Sequence, residues 1–155
     1  MAAVTKPIPD GYHTVTPHLI NEDASRLIEF LKLAFDAQEV TRLSSPNGRV
    51  LHAELRIGDS LVMIGEASGE WKAMPSSLAL YVEDVDATYR RALEAGAVSL
   101  REPMNQFYGD RSAGVKDHSG NHWWIATHIE DVPAEEIKLR AERWMKDICF
   151  SSMSR

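Results

Sequence analysis

Residues 109–132 read GDRSAGVKDHSGNHWWIATHIEDV, and this stretch shows how the chain is built. The strand pattern GDRSAGVKD is followed by a turn that contains Gly120 and by a second strand pattern, HWWIATH. The second strand divides its side chains between two faces, one with His122, Trp124, Ala126 and His128 and the other with Trp123, Ile125 and Thr127. Two adjacent tryptophans cannot both enter one core, so we expect one of them to close the core and the other to point away from it.

This hairpin is the end of an element order that occurs twice. Upstream of it, SLALYVEDV predicts a strand, DATYRRALEAG a helix closed by Gly96, and VSLREP a further strand. The first half repeats this order with the strand HTVTPHLI, the amphipathic helix ASRLIEFLKLAF, and the strands EVTRLSS, VLHAELRI and SLVMIGE. Matching positions lie about 60 residues apart, because Gly58 stands 62 residues before Gly120. The sequence therefore predicts an α+β fold of two tandem βαβββ modules.

These patterns also predict the domain boundaries. We expect an N-terminal arm over residues 1–12, a single domain over 13–132 and a C-terminal helix over 133–150. Within the domain, module one spans about 13–67 and module two about 76–129. The helix carries one apolar stripe, formed by Ile137, Ala141, Trp144 and Ile148. That stripe could pack on its own domain or on a partner subunit, and a single stripe favours the first.

Composition excludes several classes of protein. The chain of 155 residues has 17 basic and 23 acidic side chains, so its formal charge of −6 and its scattered lysines and arginines argue against nucleic-acid binding. Cys149 is the single cysteine, which excludes an intramolecular disulfide and a cysteine-based zinc cluster. The sequence has neither a leader-like apolar segment near its start nor an apolar run of bilayer length. We expect a cytoplasmic protein that does not associate with membranes.

Several of the quoted runs, together with YHTVTPHLI, HAELRIGDSLVM and ALYVEDVDA, resemble the vicinal oxygen chelate superfamily. The chain is most similar to its PhnB-like branch, the glyoxalase/bleomycin-resistance proteins, and residues 109–132 resemble that branch's pattern GDRSG-x-x-x-DPFGH-x-W-x-x-ATH-x-EDV. The resemblance covers residues 6 to about 140 and implies two modules whose curled sheets enclose a cavity, formed or completed by a homodimer. Members include glyoxalases, epimerases, extradiol dioxygenases, fosfomycin-modifying enzymes and proteins that sequester an antibiotic, so the fold does not choose the function.

The resemblance implies one divalent metal, held by His, Gln or Glu on the first and last strands of each module. The matching positions here are Thr16, Val62, Ser77 and Trp124, and none of them is a usual metal ligand. We therefore expect no metal and no other cofactor. The alternative is a shifted site, because His18 lies two residues after Thr16 and so shares its strand face.

The strand VLHAELRI offers further polar candidates. His52, Glu54 and Arg56 alternate with Leu51, Ala53, Leu55 and Ile57, so one face is polar and the other belongs to the core. If the polar face lines a cavity, His52 and Glu54 could be a catalytic base and its orienting partner, or two metal ligands beside His18. The row could equally be an ordinary solvent-facing row of an antiparallel sheet.

Three further residues are candidate ligand contacts. By the family register Trp124 faces the cavity, where its indole would stack on a conjugated ligand. Tyr108 and Arg111 belong to the loop at the cavity mouth, and a phenol and a guanidinium are suited to gripping a carboxylate or phosphonate. The competing interpretation is a loop in which Asp110 and Arg111 satisfy each other. Asp117 and His118 are interpreted as turn residues.

These patterns predict a metal-independent protein that binds or sequesters a small organic molecule in a cavity lined by His18, His52, Glu54, Tyr108, Arg111 and Trp124. Proton transfer with His52 or Glu54 as the base is included in this hypothesis. A second hypothesis is a metal-dependent lyase, isomerase or dioxygenase that uses His18, His52 and Glu54 as ligands. A third is an interaction protein in which the helix that carries Trp144 recruits a partner.

Overall fold

The computed structural model of the protein describes residues 5–152. Its elements are β1 (His18–Asn21), α1 (Ala24–Phe35), β2 (Gln38–Ser44), β3 (Val50–Ile57), β4 (Ser60–Glu66), β5 (Ser77–Tyr81), α2 (Val85–Glu94), β6 (Val98–Asn105), β7 (Asp110–Lys116), β8 (His122–His128) and α3 (Ala134–Ser152). The order β-α-β-β-β occurs twice and a helix follows, which confirms the predicted α+β fold.

Each module forms its own four-stranded mixed sheet. The strand orders are β1-β4-β3-β2 and β5-β8-β7-β6. The pairs β1–β4 and β5–β8 are parallel, and the other pairs are antiparallel. The two sheets are thus built alike, and equivalent positions can be read from their registers.

The helices α1 and α2 lie on the buried side of the two sheets and pack against each other. Asp23 caps α1 by accepting a hydrogen bond from the backbone N of Arg26 at 3.0 Å, and Asp84 caps α2 in the same way from Ala87 at 2.9 Å. The apolar stripe of α1 then faces the core, where the ring of Phe35 lies 5.0 Å from that of Trp123. The other face of each sheet remains open, and the candidate site residues lie there.

Two local predictions for module one were wrong. The first strand begins at His18 and not at His13, because Pro17 has no N–H to donate to a ladder; its carbonyl accepts from the backbone N of Met63 at 2.8 Å. Leu51 is exposed and Val50 is buried in its place. A register shift at the Leu43–Ser44 step of β2 inserts one extra residue in β3 and so changes the face on which Leu51 lies.

The predicted arm and the C-terminal helix lie at the two ends of the described chain. Residues 5–12 of the predicted arm form no helix or strand, while residues 1–4 lie outside the described part of the chain. At the other end, Arg140 of α3 binds both carboxylate oxygens of Glu130 at 2.8 and 2.9 Å, and Trp144 packs on Phe107 with ring centroids 5.6 Å apart. The helix therefore packs on module two of the same chain, although Trp144 and Ile148 stay half exposed. No helix within residues 5–152 has the length and apolarity needed to span a bilayer.

Candidate ligand-binding site

The floor of the candidate site is one row of side chains across the open face of the second sheet. Ala79 pairs with Trp124, Trp124 with Gly114, and Gly114 with Arg101. Since directly paired residues point to the same face, the indole of Trp124 and the side chain of Arg101 lie on either side of a glycine. The row therefore combines a large aromatic surface with a cation.

Gly114 is what allows Trp124 to lie along the sheet. A Cβ at this position would come within 3.0 Å of two carbons of the Trp124 ring, closer than real side chains approach. The ring covers the glycine, and the guanidinium carbon of Arg101 lies 5.2 Å from the ring centroid, a cation–π distance. The neighbouring Trp123 points the other way, into the core, so the two tryptophans separate as the strand alternation predicts.

Arg101 uses only some of its hydrogen-bond donors. One terminal nitrogen donates to the hydroxyl of Ser112 at 2.7 Å, and the buried Nε has no hydrogen-bond partner. Among the ion pairs formed within residues 5–152, none involves Arg101. Its positive charge is therefore available to an anion in the pocket.

The opposite end of the pocket is built around a buried carboxylate. Asp110, 5% exposed, accepts hydrogen bonds from the hydroxyl of Tyr81 and from Nδ1 of His128, both at 2.7 Å. The other ring nitrogen of His128 bonds Asp131 at 2.8 Å. Hydrogen bonds to Asp110 and then Asp131 raise the pKa of His128, which favours its charged form beside Asp110. The pKa of Tyr81 is also raised, first by its hydrogen bond to Asp110.

Tyr108 forms a wall of the pocket and is supported from behind. Its ring meets Phe107 edge to face with centroids 5.3 Å apart, and Phe107 in turn packs on Trp144 of α3. Gly109 follows with φ of 100°, and a side chain there would collide with the carbonyl of Glu130. The predicted contact residue Tyr108 is thus held in place by the C-terminal helix.

These groups line an open pocket of about 320 Å³, which is large enough for a small organic molecule. Its lining is partly apolar and aromatic and partly polar, and comprises Ala79, Leu80, Tyr81, Arg101, Tyr108, Asp110, Ser112, Trp124 and Ala126. One end is therefore cationic and the other carries a carboxylate.

Arg111, a predicted ligand contact, does not line this cavity. Its guanidinium forms a two-point ion pair with Asp86 at 2.7 and 2.8 Å and bonds Asn105 at 3.1 Å. The ion pair lowers the pKa of Asp86 and ties β7 to α2. The anion-binding guanidinium that the sequence placed at Arg111 is provided in the structure by Arg101.

The other three predicted residues lie together on the open face of the first sheet. His18 pairs with Met63 and Met63 with Glu54. The His52 ring lies 6.4 Å from the His18 ring, and its Nε2 is 3.2 Å from Glu54. They are not part of the cavity on the second sheet. Of the six predicted residues, Tyr108 and Trp124 therefore line the cavity, and the other four lie outside it.

The arm covers part of this first group. Burial and then the neighbouring Glu54 raise the pKa of Tyr12 to about 12. The Tyr12 hydroxyl and the His52 ring both lower the pKa of Glu54. Glu54 therefore favours the carboxylate form, which suits a residue that orients a histidine.

The register also corrects the expected metal positions. Met63, and not Val62, is the counterpart of Trp124, because His18 pairs with Met63 as Ala79 pairs with Trp124. Val62 points into the core. Neither the corrected set nor the original contains a His, Cys, Asp or Glu side chain. Within the described part of the chain, no group of three or more His, Cys, Asp and Glu side chains is arranged to hold a metal ion.

Sequence reasoning missed the pocket residues Tyr81, Arg101 and Asp110, and the support from His128. Asp110 and His128 are directly paired across the β7–β8 hairpin, so an extended hairpin register would have brought them together.

Asp117 was interpreted as a turn residue, and it is one: it accepts from the backbone N of Ser119 and Asn121. It also accepts from the indole N–H of Trp123 at 2.8 Å, which holds that ring in the core.

Residues 12–125 match the Glyoxalase/Bleomycin resistance protein/Dioxygenase superfamily, and the chain belongs to that superfamily. It is 37% identical over 135 residues to uncharacterized proteins of Mycobacterium bovis and Mycobacterium tuberculosis, covering 80% of this chain and 89% and 79% of theirs.

Solved structures share the fold at lower identity. TioX from Micromonospora sp. ML1 is 24% identical with a TM-score of 0.65, covering 76% of this chain and 99% of that one. The fosfomycin resistance protein FosX from Mesorhizobium loti is 22% identical with a TM-score of 0.55, covering 74% and 91%. At these identities the likeness supports the fold and not a shared ligand.

Proposed function

We propose that this protein binds a small organic molecule, which has a planar ring and an anionic group, on the open face of module two and without a metal ion. The observation that carries the proposal is the indole of Trp124 beside the guanidinium of Arg101, which no carboxylate of the described chain neutralises. A ring that stacks on the indole would bring its acidic group to the free donors of Arg101.

Within the superfamily we propose that the chain belongs to the PhnB-like branch, because residues 109–132 resemble the sequence pattern of that branch. The function that fits this pocket is binding or sequestration. His52 and Glu54, the bases expected for proton transfer, lie on the other sheet, so the proposal assigns no chemical step to them.

The test is calorimetric titration with 2-naphthoate, using the neutral 2-naphthamide as the charge control. Replacing Trp124 with Ala removes the stacking surface, which is worth about 1–3 kcal/mol for a flat ligand, and we expect an affinity loss of roughly tenfold or more. The matched control is Trp71→Ala, since Trp71 is exposed and lies in the segment between the modules. Equal binding of 2-naphthoate by the Trp124→Ala variant, or equal binding of the amide by the native protein, would contradict the proposal.

The same titration tests metal independence. We expect protein dialysed against EDTA to bind 2-naphthoate as tightly as untreated protein, and elemental analysis to find no stoichiometric metal. A stoichiometric metal that is lost in the His18→Ala, His52→Ala double variant would instead favour the metal-dependent enzyme with ligands His18, His52 and Glu54.

A further inference from the structure

We infer that the pocket selects a ring that carries an anionic group at one end and a hydrogen-bond donor, such as a hydroxyl, at the other. This inference rests on the proposed function, since it specifies which ring anions the pocket prefers. It follows from the fixed polarity of Tyr81 at the end of the pocket that lies away from Arg101.

The polarity of Tyr81 is fixed by Asp110. A carboxylate can only accept hydrogen bonds, so the 2.7 Å contact between the two side chains uses the single proton of the phenol. Asp110 is in turn held by His128, and His128 by the carboxylate of Asp131. The Tyr81 oxygen therefore offers lone pairs to the pocket and no proton.

Arg101 has the opposite polarity, because a guanidinium can only donate. Its nitrogen bonds Ser112, while the phenol of Tyr81 bonds Asp110, two residues earlier on β7. Side chains two positions apart on a strand share a face and stand about 7 Å apart. The two polar ends of the pocket are therefore separated by roughly 7 Å along β7, a span that an aromatic ring system with a substituent at each end can bridge.

Trp124 pairs with Gly114, two residues beyond Ser112 on β7, and supplies the flat surface for the ring at the Arg101 end of the pocket. A ligand with a carboxylate near Arg101 and a hydroxyl near Tyr81 satisfies both polar ends while it covers the indole. A ligand without the donor forgoes the hydrogen bond to the Tyr81 oxygen, and such a bond contributes about 0.5–1.5 kcal/mol to affinity.

The experiment compares 2-naphthoate, 6-hydroxy-2-naphthoate and 6-methoxy-2-naphthoate by calorimetry. These probes share the ring and the carboxylate, and only the hydroxyl compound has the extra donor. We expect the native protein to bind the hydroxyl compound about tenfold more tightly than 2-naphthoate, and the methoxy compound no more tightly than 2-naphthoate. In Tyr81→Phe we expect the hydroxyl preference, measured as the ratio of the two affinities in the same variant, to vanish.

The matched control is Tyr89→Phe, which removes a phenol whose hydroxyl bonds Ser99 outside the pocket and should keep the tenfold preference. The Tyr81 side chain is 72% exposed, so its loss of one oxygen leaves the core intact. Binding of 2-naphthoate without a preference for the hydroxyl, or a preference that survives in Tyr81→Phe, overturns this inference and leaves the proposed function standing. Binding of none of the three probes overturns both.

Discussion

At the scale of single residues, the pocket depends on a glycine that has no unusual backbone conformation. Gly114 is required for space, because the ring of Trp124 lies where its Cβ would be. The absence of a side chain at Gly114 leaves room for the flat indole ring of Trp124 on the neighbouring strand. Arg101, paired with Gly114 from the other side, can then reach the ring face.

Replacing Gly114 with Ala should therefore displace the Trp124 ring. We expect 2-naphthoate affinity to fall about tenfold, a change of about 1.4 kcal/mol, measured by the same calorimetric titration. The control is Gly65→Ala on the open face of the first sheet, where a Cβ would lie 3.4 Å from His18 and meets no ring in conflict. Unchanged affinity in Gly114→Ala would show that the ligand does not use the indole face.

The sequence could predict the direction of a site residue's side chain only where the alternation along a single strand determines it. The alternation of HWWIATH separates Trp123 from Trp124, and the structure separates them in the same way. Arg101 could not be predicted, because its place beside Trp124 depends on two strand pairings and a shifted β6–β7 register. Arg111 was expected to reach a ligand, but its two-point pairing with Asp86 joins residues 25 positions apart on different elements.

At the scale of elements, the bounds of β3, β4 and β8 agree with their sequence patterns, since a turn precedes each of these strands. The periodicity of the C-terminal helix could not predict which part of the protein the helix packs against. Its pattern predicts a stripe, but the partner is the loop that holds Phe107 and Tyr108. Arg140 completes the contact by bonding Glu130 and the carbonyl of Phe107. The helix thus acts as a support for one wall of the pocket.

Removing the aromatic contact should loosen that wall. An aromatic pair contributes about 1 kcal/mol beyond its buried area, so in Trp144→Ala we expect roughly fivefold faster hydrogen exchange at the amides that close the loop. These are Gly109, which bonds Gln106, and Ile129 and Glu130, which both bond Gly109. Trp71→Ala serves as the control, since Trp71 is remote in sequence from this loop. Unchanged exchange rates in Trp144→Ala would mean that the helix does not support the loop.

At the scale of the whole molecule, the two modules meet through α1 and α2, so the open faces of the sheets lie on opposite sides of a shared core. Within one chain, the side chains of His18, His52 and Glu54 on the first sheet therefore cannot line the same cavity as Trp124 and Arg101 on the second sheet. A second copy of the chain could cover each face, and the exposed Leu43 of β2 and Leu51 of β3 are the kind of apolar surface that such a contact buries.

We therefore expect a homodimer, with a sedimentation-equilibrium mass twice the 17.4 kDa of one chain. Leu43 lies on the open face because it pairs with His52, so Leu43→Asp would place a charge in the contact and shift the mass toward that of one chain. Leu33→Asp is the control, since Leu33 is equally exposed but lies on α1, away from the open face. A native protein that sediments as a monomer would contradict the predicted dimer, and a dimer unaffected by Leu43→Asp would place the contact elsewhere.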